Sequence, residues 1–189
     1  MPTLTLIRHA PTASNEQGIF MGTLDLPVGE QGLVAARTAG LVLASTKFTR
    51  YYSSPLLRAR QTAECLFKNV PITFDERLIE RGLGKWQNQS KGQVRKDYPE
   101  AFFSSGTMNP FFKPPDGEAL EDVLSRVQSF LRNILSLDEN DNVVVVTHNG
   151  ILRVIRCWLE VKPLEEIFTA SEPYLEPRSY CLNRLTCQI

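Results

Sequence analysis

The stretch "VVVVTHNGILRVI", residues 143–155, decides the reading of the fold. Four consecutive valines show no polar alternation, so both faces of this strand expect apolar neighbours, as in a parallel sheet covered on both sides. The strand ends on Thr147 and His148, and "GILRVIRCWL" (150–159) then reads as a helix. A doubly buried strand feeding a helix is the building unit of an α/β protein. The start of the chain repeats the arrangement. In "LTLIRHAPT" (4–12), Leu4 to Ile7 form a short apolar strand that runs directly into Arg8 and His9. The chain has two histidines, and each terminates an apolar strand.

The intervening sequence alternates in the same way. "EQGLVAARTAGLVLAS" (30–45) predicts a helix with Val34, Leu41 and Val42 on one side, although Gly32 and Gly40 weaken it. "YYSS" (51–54) reads as a strand, followed by a helix with Ser54 as N-cap and Pro55 at its first position. That helix runs to about Phe67 and buries Leu57, Ala63, Leu66 and Phe67. "PITFD" (71–75) is a further short strand. Residues 76–117 lack clear periodicity apart from a short helix near Gln93–Tyr98; a span this long is more often functional than a plain connection. From Glu118, Leu120, Val123, Leu124, Val127, Leu131, Ile134 and Leu135 recur at helical spacing, with Glu118, Glu121 and Asp122 at the positive end. A last strand is expected around 180–185. The pattern predicts one domain over 1–189: a three-layer α/β/α sandwich with a mostly parallel central sheet.

Bulk properties narrow the function. With 21 basic and 21 acidic residues the net charge is zero, which favours neither nucleic acid nor an anionic membrane as partner. No apolar run approaches the ~20 residues of a membrane span. The first ten residues have neither the basic start nor the apolar length of a secretory signal. Cys65, Cys157, Cys181 and Cys187 show no metal-type spacing and read as reduced thiols, so the expected location is cytoplasmic. There is no GxGxxG after the first strand, no GxxxxGK[ST] and no GxSxG, which leaves dinucleotide, P-loop and nucleophile-elbow chemistries unsupported.

In α/β sheets, ligands bind beyond the carboxyl ends of the strands. His9 and His148 both lie at that edge, and they converge if their strands are neighbours. The alternative is two structural histidines at the rim. Arg8, one residue past a buried strand, calls for an anion. Arg58, in "SSPLLRARQTAE" (53–64), sits near a helix start where a cation opposes the helix dipole; it reads either as an anion ligand or, like Arg60, as a solvated side chain. Glu80, among Leu78, Ile79, Leu83 and Trp86, could have a raised pKa and act as a general acid, or could be a surface residue beside Arg81. Phe102, Phe103, Phe111 and Phe112 could roof a pocket as a lid over 102–112, or extend the core.

These segments together resemble the histidine phosphatase superfamily, which includes the cofactor-dependent phosphoglycerate mutases. "LTLIRHAPT" is similar to the family's Arg-His-Gly signature, "SSPLLRARQTAE" to its second motif, and "LIERGLGKW" (78–86) to its acid segment. "PPDGEALEDVLSRV" (114–127) resembles the Gly-Glu stretch that opens its long helix, and "VVVVTHNGILRVI" its second-histidine motif. The resemblance implies a phosphoglycerate mutase-like fold and a phosphohistidine mechanism. His9 would be the nucleophile, Arg8, Arg58 and His148 would hold the phosphoryl oxygens, and Glu80 would be the proton donor and acceptor. Asn15, Gly22 and Asn149 would contact phosphate or substrate. No metal and no cofactor is expected. The expected partner is a small phosphate ester, with no nucleic acid and no membrane, and a homodimer is allowed for. Ala10, Pro11, Gln87, Asn88 and Ala119 depart from the family's usual residues. The leading expectation is a metal-independent phosphomonoesterase of the short phosphatase branch. The alternatives are mutase-type transfer and a binding module without activity.

Overall fold

The computed structural model describes residues 2–182 apart from 137 and 139. The strands are β1 (Thr3–Arg8), β2 (Arg50–Ser53), β3 (Thr73–Phe74), β4 (Asn142–Thr147) and β5 (Arg178–Cys181). The helices are α1 (Ala13–Glu16), α2 (Glu30–Leu43), α3 (Leu57–Leu66), α4 (Lys91–Asp97), α5 (Leu120–Leu135) and α6 (Asn149–Leu159). The sheet order is β3-β2-β4-β1-β5. β1 pairs parallel with β4, which pairs parallel with β2, and β2 with β3; β5 alone runs antiparallel, against β1.

The valine run performs as its composition predicts. Val143 and Val145 pack with Leu4 and Leu6 against α5 and α6, while Val144 and Val146 pack with Ile7 against α3. Alternate side chains of one strand thus supply both cores, giving helices on each face of the sheet. All seven apolar positions read in α5 sit in that first core or pack against it as expected, and Phe130 joins them.

Several expectations need correction. In α2, Val34, Leu41 and Val42 do share a side, but it faces solvent. The buried side is Gly32, Ala36 and Leu43. A Cβ at Gly40 would lie 2.9 Å from the Leu66 carbonyl oxygen, and one at Gly32 2.6 Å from that of Pro11. The glycines that weaken the helix on propensity allow its close approach to α3 and the β1 loop. In α3, Ser54 is not the N-cap, and Pro55 lies before the helix and not at its first position. The helix starts at Leu57, whose amide donates to the Asp25 carboxylate at 2.5 Å, so the cap comes from a distant loop, and Leu57 is only half-buried. β3 is shorter than "PITFD" suggested, because only Thr73 and Phe74 find partners on β2. The last strand begins two residues earlier than expected; the part placed over 183–185, like Cys187, lies outside the described residues. Cys65, Cys157 and Cys181 are free thiols. Among the described residues no helix is long and apolar enough to cross a membrane.

Residues 76–117 form a cover with a small core of its own. Trp86, Val94 and Ala101 are buried there, with Phe20, Tyr98, Phe102 and Phe112 packed around them. The Trp86 ring lies nearly parallel to that of Phe112, 5.6 Å away, and to that of Phe102 at 6.5 Å. Phe103 and Phe111 are exposed. The phenylalanines therefore divide: Phe102 and Phe112 build the cover, and of the four only Phe102 reaches the cleft beneath it. Arg81 fastens this cover from below, donating to the carbonyls of Pro110, Phe112 and Glu118 at 2.9–3.0 Å.

Candidate active site

The register of β1 on β4 brings the two histidines together. The last paired residues are Arg8 and Thr147, and the His9 amide continues the ladder to the Thr147 carbonyl at 2.9 Å. His9 and His148 follow at once, with ring centroids 5.2 Å apart. A cleft of about 530 Å³ opens above these strand ends. Arg8, His9, Asn15, Gly22, Arg58, Glu80 and Asn149 all line it. His148 is fully buried directly behind His9 and is not among the lining residues.

His9 donates from Nδ1 to the carbonyl of its neighbour Ala10 at 2.7 Å, when Nδ1 carries the proton. That tautomer leaves the Nε2 lone pair available. Its pKa is pulled down to about 3, first by burial, then by Arg58, with Arg8 adding and the Ala10 carbonyl opposing. The ring is therefore neutral at physiological pH. The flanking cations contribute as the sequence suggested, but desolvation is the larger cause. His148 is likewise held well below its ordinary value by burial and then by Arg58 and His9. Its Nε2 lies 2.8 Å from the Ser54 hydroxyl, which also accepts from the Leu56 amide at 3.3 Å. With the hydroxyl proton directed at Nε2, Nδ1 carries the ring proton, and Nδ1 is buried without a partner.

Both arginines are desolvated and held by backbone carbonyls. Arg8 donates to the Glu172 carbonyl at 2.8 Å, and its guanidinium lies 3.7 Å from the ring centre of Tyr174. Arg58 is completely buried and donates to the carbonyls of Leu24 at 2.6 Å and Gly22 at 2.8 Å. The Nε atoms of both are buried with no partner. Carbonyl partners orient a guanidinium without an ion pair; Glu80 acts on both at longer range, with Glu172 on Arg8 and Asp25 on Arg58, and N–H groups remain for an anion in the cleft.

Glu80 reaches the same cleft from the other side. One carboxylate oxygen accepts from the Arg81 amide at 2.9 Å, the other from the Gly150 amide at 3.1 Å. Gly150 lies in the first turn of α6, where free amides and the helix dipole favour a carboxylate. A Cβ there would collide with the Glu80 carboxylate. The loop carrying Glu80 is fixed at both ends. Thr147 Oγ1 donates to the Leu78 carbonyl at 2.7 Å, and the Gly82 amide donates to the Glu118 carboxylate at 3.1 Å. Glu118 in turn takes both Nε and a terminal nitrogen of Arg126, at 2.7 and 3.0 Å.

Asn15 and Gly22 also have structural tasks. Asn15 accepts from the Thr12 amide at 3.1 Å to close the capping box of α1. Gly22 supplies a carbonyl to Arg58 in a positive-φ conformation that leaves room for Gln87. Asn149 Oδ1 is buried and unpartnered at the start of α6. Sequence reasoning missed Ser54 as a partner of His148, Gly150 as a partner of Glu80, and both Tyr174 and Arg153 in the cleft wall. Arg153 was within reach, four residues along α6 from Asn149 on the same helix face. Nothing in the sequence marks Tyr174, which arrives from a loop far along the chain. Among the described residues no group of three or more His, Cys, Asp and Glu side chains gathers as a metal site.

Residues 4–176 match the histidine phosphatase superfamily (branch 1). The chain belongs to that superfamily. It is 32% identical over 161 residues to phosphoserine phosphatase 1 of Hydrogenobacter thermophilus, spanning 84% of this chain and 76% of that protein. It is 27% identical over 187 residues to the 2,3-bisphosphoglycerate-dependent phosphoglycerate mutase 2 of Gloeobacter violaceus, spanning 95% and 85%. Among solved structures, Bacillus stearothermophilus YhfR superposes with a TM-score of 0.86 at 29% identity, covering 95% of this chain and 90% of that one. The α/β fold expected from the sequence is that of this superfamily.

Proposed function

We propose that this chain is a metal-independent phosphomonoesterase that transfers the phosphoryl group of a small ester first to His9 and then to water. The observation that carries the reading is His9, 5.2 Å from His148 by ring centroid, lining a cleft beside two arginines whose hydrogen bonds go to backbone carbonyls. A phosphoryl group in flight spreads charge over three equatorial oxygens, so placement and charge stabilisation supply most of the catalysis. Arg8 and Arg58 offer their free N–H groups to those oxygens. His148, 5.2 Å from His9 by ring centroid, has a buried Nδ1 without a partner, and with the Ser54 proton on Nε2 that Nδ1–H would be a neutral donor to a phosphoryl group seated on His9.

In the first step the monoanionic ester passes its phosphate proton to the Glu80 carboxylate on binding, His9 Nε2 forms a bond to phosphorus, the ester P–O bond breaks, and Glu80 gives that proton to the departing oxygen. In the second step Glu80 takes a proton from water, the hydroxyl oxygen attacks phosphorus, and the P–N bond breaks to return neutral His9. Before substrate arrives, the Glu80 carboxylate rests against the Arg81 and Gly150 amides, where it can be reached from the cleft.

The deciding experiment assays a panel of phosphate esters with chelator present and traps phosphoenzyme by acid quench, for the wild-type protein and His9→Ala. Turnover and acid-labile phosphoprotein that both vanish in the variant support the reading; equal turnover in the two proteins ends it. Including 2- and 3-phosphoglycerate reports mutase-type transfer as isomerised product instead of free phosphate.

A further inference from the structure

The cleft is far larger than a phosphoryl group requires. Its volume of about 530 Å³ falls within the ~300–1,000 Å³ of sites that enclose drug-sized ligands. It runs from the catalytic floor outward beneath the cover, and its character changes on the way. The floor is cationic and polar. The adjoining wall is apolar, with Ile19, Phe20, Phe102 and Met108 facing it. On the solvent side Lys91 and Arg95, both exposed residues of α4, line it, whereas the further cation Arg153 lies on the α6 side near Arg8 and Glu80, over the Phe168 ring at 5.1 Å. Arg95 is steered towards the solvent side by two contacts: it donates to the Gly106 carbonyl at 2.6 Å, and its guanidinium lies 5.1 Å over the Phe102 ring. Both contacts leave the charge uncancelled. Phe102 is braced in turn by Trp86, so the wall is built on the core of the cover.

A second cationic group separated from the first by an apolar wall describes the complement of a particular molecule. We propose that the preferred substrates are phosphomonoesters whose alcohol is an extended, largely apolar body ending in its own anionic group, a carboxylate or a second phosphate. The phosphate sits on the floor, the body lies along Phe20, Phe102 and Met108, and the far anion meets Lys91 and Arg95. The inference deepens the phosphomonoesterase reading and rests on it. A compact ester such as phosphoserine would fill only the floor.

The test uses esters with matched leaving oxygens, so that the chemistry is constant and only binding varies: ethyl phosphate, octyl phosphate and 8-phosphooctanoate. Octyl phosphate is expected to exceed ethyl phosphate in kcat/KM by about ten-fold or more, from apolar burial along the wall. The terminal carboxylate is expected to add roughly three-fold at low salt, consistent with two partly exposed ion pairs. That second gain should disappear in the Lys91→Gln/Arg95→Gln double variant and shrink as salt is raised. Met108→Ser should reduce the octyl-to-ethyl ratio, with its melting temperature confirming that the cover is intact. Equal kcat/KM across the three esters, with turnover still dependent on His9, would overturn this inference alone. Loss of His9 dependence would instead overturn the phosphatase reading beneath it. A carboxylate gain that survives in the double variant would overturn the role of Lys91 and Arg95.

Discussion

The floor of the cleft and its cover are built on opposite principles. The floor consists of strand ends: His9 and His148 follow the last paired residues of β1 and β4, and Arg58 follows β2 in the first turn of α3. Their positions are set by sheet register, and their surroundings are buried on every side but one. The cover has little regular structure and holds itself together around one tryptophan. The contrast suggests a division of labour. The floor demands sub-ångström placement and so is drawn from the most buried part of the sheet. The cover only has to present a surface, and a surface can change with modest rebuilding. The floor belongs to the reaction, and the cover to the substrate.

The sharpest way to break this comparison is to remove the nucleophile. His9→Ala should lower turnover of every ester by on the order of 10⁴-fold or more, with no acid-labile phosphoprotein in quench experiments. Glu80→Gln should be smaller and selective: about 10²- to 10³-fold slower on alkyl esters, whose oxygen needs a proton, and little changed on p-nitrophenyl phosphate, whose oxygen does not. Gly150→Ala tests how Glu80 is held. Because a methyl group there displaces the carboxylate, it should cost roughly ten-fold with the same selectivity for alkyl esters, and add little to Glu80→Gln. An even loss across leaving groups would show that Gly150 matters for folding alone. Trp86→Ala attacks the cover. It should lower unfolding free energy by about 3 kcal/mol in denaturant titrations and flatten discrimination among esters, while p-nitrophenyl phosphate still forms phosphoenzyme.

The mildest perturbation is acid. Only two histidines are present, so histidine NMR reads His9 and His148 without ambiguity. Neither ring should titrate between pH 7.5 and 5, since burial holds His9 near 3 and His148 well below its usual value. The sign for stability follows. Below the ~6.5 of an exposed imidazole the unfolded chain takes up protons that the folded chain refuses, so the unfolding midpoint should fall progressively as pH drops from there towards 3.

The floor was more legible in the sequence than the cover, and the reason is physical. Four valines without alternation leave a strand few alternatives, and a strand position followed by Arg-His or Thr-His places a functional group at a known edge. The convergence of His9 and His148 needed only that β1 and β4 be neighbours. The second half of each contact was harder to foresee. Ser54 looks like a helix cap and instead faces His148; Asp25 does the capping from another loop. Gly32 and Gly40 lower helix propensity, yet they mark the face by which α2 packs, so Val34, Leu41 and Val42 point outward. Arg156 on α6 is buried against the Glu172 carboxylate at 2.9 Å, holding the segment whose carbonyl orients Arg8. In each case a residue is used by a partner remote in sequence, and local pattern carries no information about that partner.

The pairing of β1 with β4 has a temporal side as well. Thr3 and Asn142, bonded to each other at the start of that ladder, are separated by 139 positions. A growing polypeptide cannot assemble the two-histidine floor until His148 has been synthesised, and closing so large a loop is among the slower events in reaching the native state. Phosphatase turnover is thus a sensitive clock for refolding: helices and the Trp86 cluster can form locally and give optical signals early, but activity should return only with the final registration of the two strands.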